Sequence, residues 1–320
     1  MIAKQKIKNA LKLLLGEKRY VRLVRWLWPR TVAKKYGGVE IIHDIHSGAG
    51  ELRSVLAAGM PAAIGKIGAS ELRVCLEAER IDQTQQTGFS SSVKHEIHLH
   101  SGIFPPTDPV LSKFAALYTE ECGELDLLAA WFIEGERQFV ERYVPRSRFI
   151  SLLALEPYLA PNPPWTHLLA NKRVLVISPF SRSIETQYAR REKVWANLPG
   201  VLPEWKLRTI RAPLSDYLSP SSFLNWFEAL EHLKKEMERE VFDVAIVGAG
   251  AFSIPLIVHA KRLGSIGIHL GGATQILFGV AGGRWEENEV LRPLINESWV
   301  RPSGDEVPPK FKKMEGGCYW

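Results

Sequence analysis

The sequence predicts an α/β fold, a doubly wound and mostly parallel sheet with helices on both faces, preceded by a basic helical arm. Three observations predict it. Short continuous apolar runs such as Val174-Leu175-Val176-Ile177 and Val244-Ala245-Ile246-Val247 have the pattern of parallel strands buried on both faces. Helix-like segments separate them, as parallel pairing requires. Glycine-rich turns follow several of the runs, on the edge where such sheets bind ligands.

The arm comes first. Residues 1–36 hold eleven Lys and Arg against the single acid Glu17, so the remainder carries thirty basic against thirty-four acidic residues beneath a net charge of +6. Ile7, Leu11, Leu14 and Leu15 recur at helical spacing among Lys4, Lys8, Lys12 and Lys18, and Trp26 and Trp28 follow among Arg22, Arg25 and Arg30. Basic amphipathic helices of this kind lie on anionic membrane surfaces or pack on their own domain, and both readings stand here. The basic residues are confined to one end and accompany no nucleic-acid motif, so nucleic acid is not an expected partner.

Strands are expected at Ala62–Ile67, Leu127–Phe132, Arg148–Leu153, Arg173–Ser178, Lys206–Ile210, Phe242–Val247 and Ser265–Leu270. Between Ser221 and Glu240, Phe223, Trp226, Phe227, Leu230, Leu233 and Met237 fall at three- and four-residue steps, which predicts a crossover helix capped by Ser219 or Ser221. The Pro-rich stretch Pro157–Pro164 suggests a boundary. The expected organisation is an arm over 1–47, an α/β half over 48–160 and a nucleotide-binding half over 161–320 with its aromatic tail docked.

Residues 83–108 read as a long excursion over an active-site face. If extended, this segment places Glu96, His98 and His100 on one face, a set able to ligate metal; the alternative is a run of solvated histidines. Cys75, Cys122 and Cys318 cannot all pair within one chain and lack metal-ligand spacing, which fits a reducing compartment. No run approaches the roughly 18 apolar residues of a membrane span, and no signal-peptide pattern opens the chain. The expected location is cytoplasmic, with peripheral attachment to the inner face of the membrane through the arm.

Four strand ends carry candidate chemistry. Val247-Gly248-Ala249-Gly250-Ala251-Phe252-Ser253 joins a buried strand to a helix, where Gly248 and Gly250 permit close approach of a phosphate to backbone N–H groups. The next strand ends in Gly271-Gly272-Ala273-Thr274-Gln275 and lacks the acid that holds a nicotinamide cofactor's ribose, so NAD is not expected. The bland alternative is that these glycines merely let helices pack on strands. Ser181, Arg182 and Ser183 open a helix that carries Gln187, as phosphate ligands or as simple caps. Near the start, Lys66-Ile67-Gly68-Ala69-Ser70-Glu71 runs from a strand into a helix, with Glu71 placed to orient a sugar hydroxyl, hold a metal or complement the helix dipole. These loops suit one nucleotide-diphosphate site, with Arg182 countering phosphate charge. No GxSxG elbow and no Walker lysine loop is present.

The turn Gly68-Ala69-Ser70-Glu71, the segment Ile246-Val247-Gly248-Ala249-Gly250-Ala251 and the Gly271-Gly272 turn together resemble the GT-D glycosyltransferases. Ser-Pro-Phe at 178–180, Gly-Gly-Ala-Thr-Gln at 271–275 and Glu-Gly-Gly-Cys-Tyr-Trp at 315–320 are similar to segments of bacterial proteins encoded near polysaccharide genes. The resemblance implies a Rossmann-like fold and transfer of a sugar from a nucleoside-diphosphate sugar to a saccharide or lipid-linked acceptor. Glu71 would then lie near the sugar, with Lys66, Gly68, Gly248, Gly250, Gly271, Gly272, Thr274 and Gln275 around the donor. The family's Asp-x-Glu carboxylates serve Mn²⁺ or Mg²⁺ and the nucleotide-sugar; here Ala69 stands in place of the Asp, so only Glu71 carries over, and Lys66 is a candidate to replace the metal's charge. Two other readings are an NAD(P)-dependent oxidoreductase and a non-catalytic nucleotide-sugar-binding or membrane-scaffold protein.

Overall fold

A computed structural model describes residues 40–84, 87–286 and 288–320. The basic helices expected within residues 1–36 lie outside the described residues. In chain order the main elements are β1 (Ile41–Ile42), α1 (Ile45–Ala58), β2 (Ala62–Gly65), α2 (Ala69–Gln83), α3 (Ser91–Glu96), α4 (Asp108–Cys122), β3 (Leu127–Ala130), α5 (Glu136–Tyr143) and β4 (Arg148–Ser151). They continue with β5 (Arg173–Ser178), α6 (Ser181–Tyr188), β6 (Lys206–Arg211), α7 (Trp226–Glu238), β7 (Val244–Val247), α8 (Ser253–Arg262), β8 (Ile266–His269) and α9 (Ala273–Leu277).

The eight strands make one sheet in the order β1-β4-β3-β2-β8-β7-β5-β6, and every pair is parallel. This is a Rossmann-like α/β architecture. Every expected strand is present, and β1 joins the β4 edge through Ile41 and Ile42. Alternation sorts the side chains onto two faces: Leu175, Ile177, Ala245 and Val247 enter one core, Val174, Val176, Val244 and Ile246 the other. The edges are blunted differently. β1 is two residues long, and β6 exposes Lys206 and Arg211.

Strands from before and after the Pro157–Pro164 stretch meet where β2 pairs with β8, Ala62 beside Ile266 and Ile64 beside Ile268. Helix α8 covers this seam. A Cβ built on Gly267 would stand 2.3 Å from the Ile257 carbonyl oxygen, and one on Gly65 2.9 Å from Ile257 Cδ1, so β8 uses glycine to admit the helix backbone and β2 to admit the Ile257 side chain. Ile254, Leu256, Ile257 and Val258 of α8 are fully buried, each worth about 1.5–3 kcal/mol of transfer free energy.

Two local expectations are corrected. The crossover helix α7 begins at Trp226 and is capped by Asn225, whose side-chain oxygen accepts the Glu228 N–H at 3.0 Å; Ser221 instead accepts the Phe223 N–H at 3.0 Å in the preceding turn. The histidine segment is helical rather than extended: Ser90 caps α3, and Ile97–Ser101 continues it as a wider π turn that buries Val93, Ile97 and Leu99 on one side. Among the described residues no helix is long and apolar enough to cross a membrane.

Candidate functional site

A cleft of about 570 Å³ opens at the carboxyl ends of β2, β8, β7 and β5. Its position follows from topology. Neighbouring β5 and β7 send their chains in opposite directions, toward β6 and β8, and open α/β sheets bind ligands at such a divergence. The loops after the four strands form the floor. The α3–π segment, Arg284 and the tail residues Met314, Glu315, Tyr319 and Trp320 form the walls.

The β2 loop contributes Lys66, Gly68 and Glu71. Glu71 sits in the first turn of α2, and its carboxyl folds back so closely that a Cβ on Gly68 would meet Glu71 Oε2 at 2.1 Å. Any larger residue there would require the Glu71 carboxyl to move. Burial pushes the Glu71 carboxyl above its ordinary range, while its own backbone N–H, Lys66, the Ser101 side chain and His100 pull the other way. Glu71 thus stands both in the first turn of α2 and in the lining of the cleft. Lys66 follows β2 directly and lays its ammonium 4.4 Å from the centroid of the Trp131 ring. Burial holds that ammonium below its usual range, against the opposing pull of Glu71 and Glu156.

The β7 and β8 turns pack on each other. A Cβ on Gly248 would stand 2.5 Å from Thr274 Oγ1 and 2.6 Å from the Gly271 carbonyl, and one on Gly250 2.8 Å from the Ser101 carbonyl. These glycines are thus required by protein neighbours, and through that packing they hold the turns at the cleft floor. Thr274 and Gln275 are 1% and 2% exposed, yet Thr274 Oγ1 and Gln275 Oε1 have no hydrogen-bond partner among the described residues. Buried polar atoms left without a partner are costly, and these two belong to residues that line the cleft. His269, ending β8, is held well below its ordinary pKa by burial and then by the charge of Lys66, so it faces the cleft as a neutral imidazole.

The far wall is the tail. Gln275 Nε2 donates to the Tyr319 carbonyl at 2.9 Å, the Arg284 backbone N–H donates to the Cys318 carbonyl at 3.0 Å, and the Trp320 indole N–H donates to the Glu306 carbonyl at 2.9 Å. Arg284 Nη1 lies 2.9 Å from the Tyr319 hydroxyl and 3.2 Å from Glu315 Oε2. Arg284 thereby presents a second cation to the cleft that Lys66 also lines.

Ser181, Arg182, Ser183 and Gln187 do not line the cleft. The N-terminus of α6 is occupied by Glu306, which accepts the Arg182 N–H at 2.8 Å, the Ser183 N–H at 3.2 Å and the Ser183 hydroxyl. A protein carboxylate thus fills the anion position that a phosphate would take. The Arg182 guanidinium pairs with Asp305 at the surface, and Gln187 is buried, donating to the Gly279 carbonyl at 2.8 Å. A second strand end is closed in the same manner, where Glu136 accepts the Trp131 and Phe132 N–H groups after β3.

The histidine segment does not converge on an ion. Glu96 pairs with Arg73, His98 with Asp216 and His100 with Glu315, three different directions set by the helical turn. Among the described residues no group of three His, Cys, Asp or Glu side chains is placed to share a metal. At the turn itself Ala69 offers no ligand, and the group beside Glu71 is an ammonium. The residues present do not fit Mn²⁺ or Mg²⁺ held in the GT-D manner.

His269, Arg284, Trp131 and Ser101 are cleft residues that sequence reasoning missed. Only Arg284, following Gly282-Gly283, carried a local signal; the others are brought in by strand ends and turns distant in the chain.

Comparison with family models and with curated proteins returns no match. A solved structure titled "Selenomethionine substituted structure of domain of unknown function 1792 (DUF1792)" is similar at 12% identity and a TM-score of 0.46, over 89% of this chain and 97% of that one.

Proposed function

We propose that the chain is a glycosyltransferase that moves a sugar from a nucleoside-diphosphate sugar to a saccharide or lipid-linked acceptor. One observation carries the reading: two cations, Lys66 and Arg284, and three buried polar atoms without partners among the described residues, Thr274 Oγ1, Gln275 Oε1 and His269 Nδ1, belong to residues lining the cleft that also holds the Glu71 carboxyl. A diphosphate needs positive charge and donors, and a sugar needs a carboxyl to orient a hydroxyl. The resemblance of the Gly68-Ala69-Ser70-Glu71 turn to GT-D enzymes supports the same assignment.

Rate enhancement would come from positioning donor and acceptor and from Lys66 and Arg284 stabilising negative charge on the departing diphosphate. Glu71 would hold the sugar at the β2 end. The aromatic wall of Tyr319, Trp320 and Phe180 supplies apolar surface for the nucleoside. Attachment to an anionic membrane through residues 1–36 would bring the cleft near lipid-linked acceptors.

Ala69 favours one second reading, a nucleotide-sugar-binding scaffold that has lost catalysis. The test is a calorimetric titration of the purified protein with UDP-, GDP-, dTDP- and CMP-sugars and with NAD(P)H, followed by an assay for donor turnover. Binding and turnover of a nucleotide-sugar support the transferase, binding without turnover supports the scaffold, and binding of NAD(P)H alone overturns both.

A further inference from the structure

We propose that this cleft binds the diphosphate of its nucleotide without a divalent cation, Lys66 and Arg284 together supplying the positive charge that a metal would bring. The inference rests on the nucleotide-sugar reading and adds to it the means of neutralisation.

Both cations are held by neighbouring side chains and turns of the protein itself. Gly271 adopts a φ of +63°, and a Cβ there would stand 2.8 Å from Lys66 Cε, so the β8 turn passes close beside the lysine stem. Trp131 bounds the ammonium on another side. Arg284 is fixed between the rings of Trp285 and Tyr319, 5.3 and 5.7 Å from its guanidinium carbon, with the Tyr319 hydroxyl on one nitrogen. A flexible cation loses side-chain freedom when it binds phosphate; these two have already lost it.

Lys66 is disfavoured as a cation first by burial and, behind the compensation from Glu71 and Glu156, by the like charge of Arg284. Two cations close enough to repel across a cleft are stabilised by an anion bound between them. Arg284 otherwise faces Glu315 at 3.2 Å, and both side chains are about two-fifths exposed, a screened pair that a phosphate readily displaces.

The β2 turn is poor in ligands for a divalent ion. A divalent ion at the β2 turn would have Glu71 as its protein carboxylate, folded over the start of its own helix and pushed toward the neutral form by burial. It would also stand beside the Lys66 ammonium. A hard dication is weakly held under those conditions. The Thr274 hydroxyl can donate to a phosphate oxygen and the Gln275 amide oxygen can accept from a ribose hydroxyl; neither is a metal ligand of the strength that a lost Asp would require.

The experiment is a calorimetric titration of the full chain with UDP, GDP and dTDP, first in EDTA and then in excess Mg²⁺ or Mn²⁺, repeated on Lys66→Met and Arg284→Gln. The expected result is binding of at least one diphosphate in EDTA, changed less than about twofold by the metal. Each variant should weaken it by about 10- to 100-fold, the range of a charge-assisted hydrogen bond. The matching monophosphate should bind more weakly than the diphosphate. Binding that appears only with metal, or that gains tenfold or more from it, overturns this inference and leaves the nucleotide site standing. Silence from all three diphosphates under both conditions overturns the nucleotide site itself, and the inference with it. The wild-type comparison needs no variant, so a misfolded substitution does not blunt the test.

Discussion

Gly271 and Lys66 are in contact across the seam of the sheet: the turn after β8, at φ +63°, leaves 2.8 Å between a Cβ built on Gly271 and Cε of Lys66 after β2. The two halves of the chain therefore meet at the ammonium as well as at the strands.

Gly271→Ala should cost about 1–2 kcal/mol for the left-handed backbone and also displace Lys66. Gly264, at φ +85° with nothing within 4 Å of its Cβ position, is the matched control. Thermal denaturation should show both alanine variants destabilised, and calorimetry should show nucleotide binding lost only in Gly271→Ala. Equal binding by the two variants would remove Lys66 from the site.

Glu71→Gln keeps the size of the side chain and removes its charge. If Glu71 orients the sugar, donor turnover should fall by about 100-fold or more while nucleotide affinity changes little. Unchanged turnover in a steady-state assay would confine Glu71 to complementing the helix dipole.

Glu306 is 1% exposed and holds the N–H groups of Arg182 and Ser183 at the start of α6. Glu306→Ala leaves buried donors without an acceptor and should destabilise the fold by roughly 1–3 kcal/mol in urea titrations. Nucleotide affinity should persist, because α6 does not line the cleft. If affinity fell in step with stability, the phosphate site would have to be reassigned to this helix.

The pH dependence of stability carries opposite signs from two cleft groups. His269 is lowered below 6.5 by burial first and the Lys66 charge second, so the unfolded chain binds more protons below pH 6.5; its contribution is full above 6.5 and is lost as pH falls. Glu71 is raised above 4.5 by burial, so its contribution is full below 4.5 and is lost as pH rises through its folded value. His269→Gln should flatten the loss of stability below pH 6.5, and Glu71→Gln the loss above 4.5. Curves parallel to the wild type would assign the buried neutral forms elsewhere.

The sheet was legible because buried parallel strands are continuous apolar runs, and Val174–Ile177 or Val244–Val247 can be read without knowing their neighbours. Strand β1 was not, since Ile41 and Ile42 are too few to show a period. The histidine segment failed for a related reason: its helix is set by the Ser90 cap and by the burial of Val93 and Ile97 against distant residues. Gly68, Gly248 and Gly271 were found at their strand ends, but the sequence could not say that their missing Cβ atoms make room for Glu71, Thr274 and Lys66. Nor could it show that Glu306, more than 120 positions further on, fills the place that Arg182 and Ser183 seemed to hold open. Local pattern finds loops with the right chemistry. Tertiary contacts decide which of them are already occupied.

The most direct test of the central claim is a crystal structure of the full chain grown with the tightest-binding nucleoside diphosphate. The account predicts density for the diphosphate between Lys66 and Arg284, against the turns at Gly248 and Gly271, with the sugar end toward Glu71. Density at the Arg182 helix or away from the carboxyl ends of β2, β7 and β8 would contradict it.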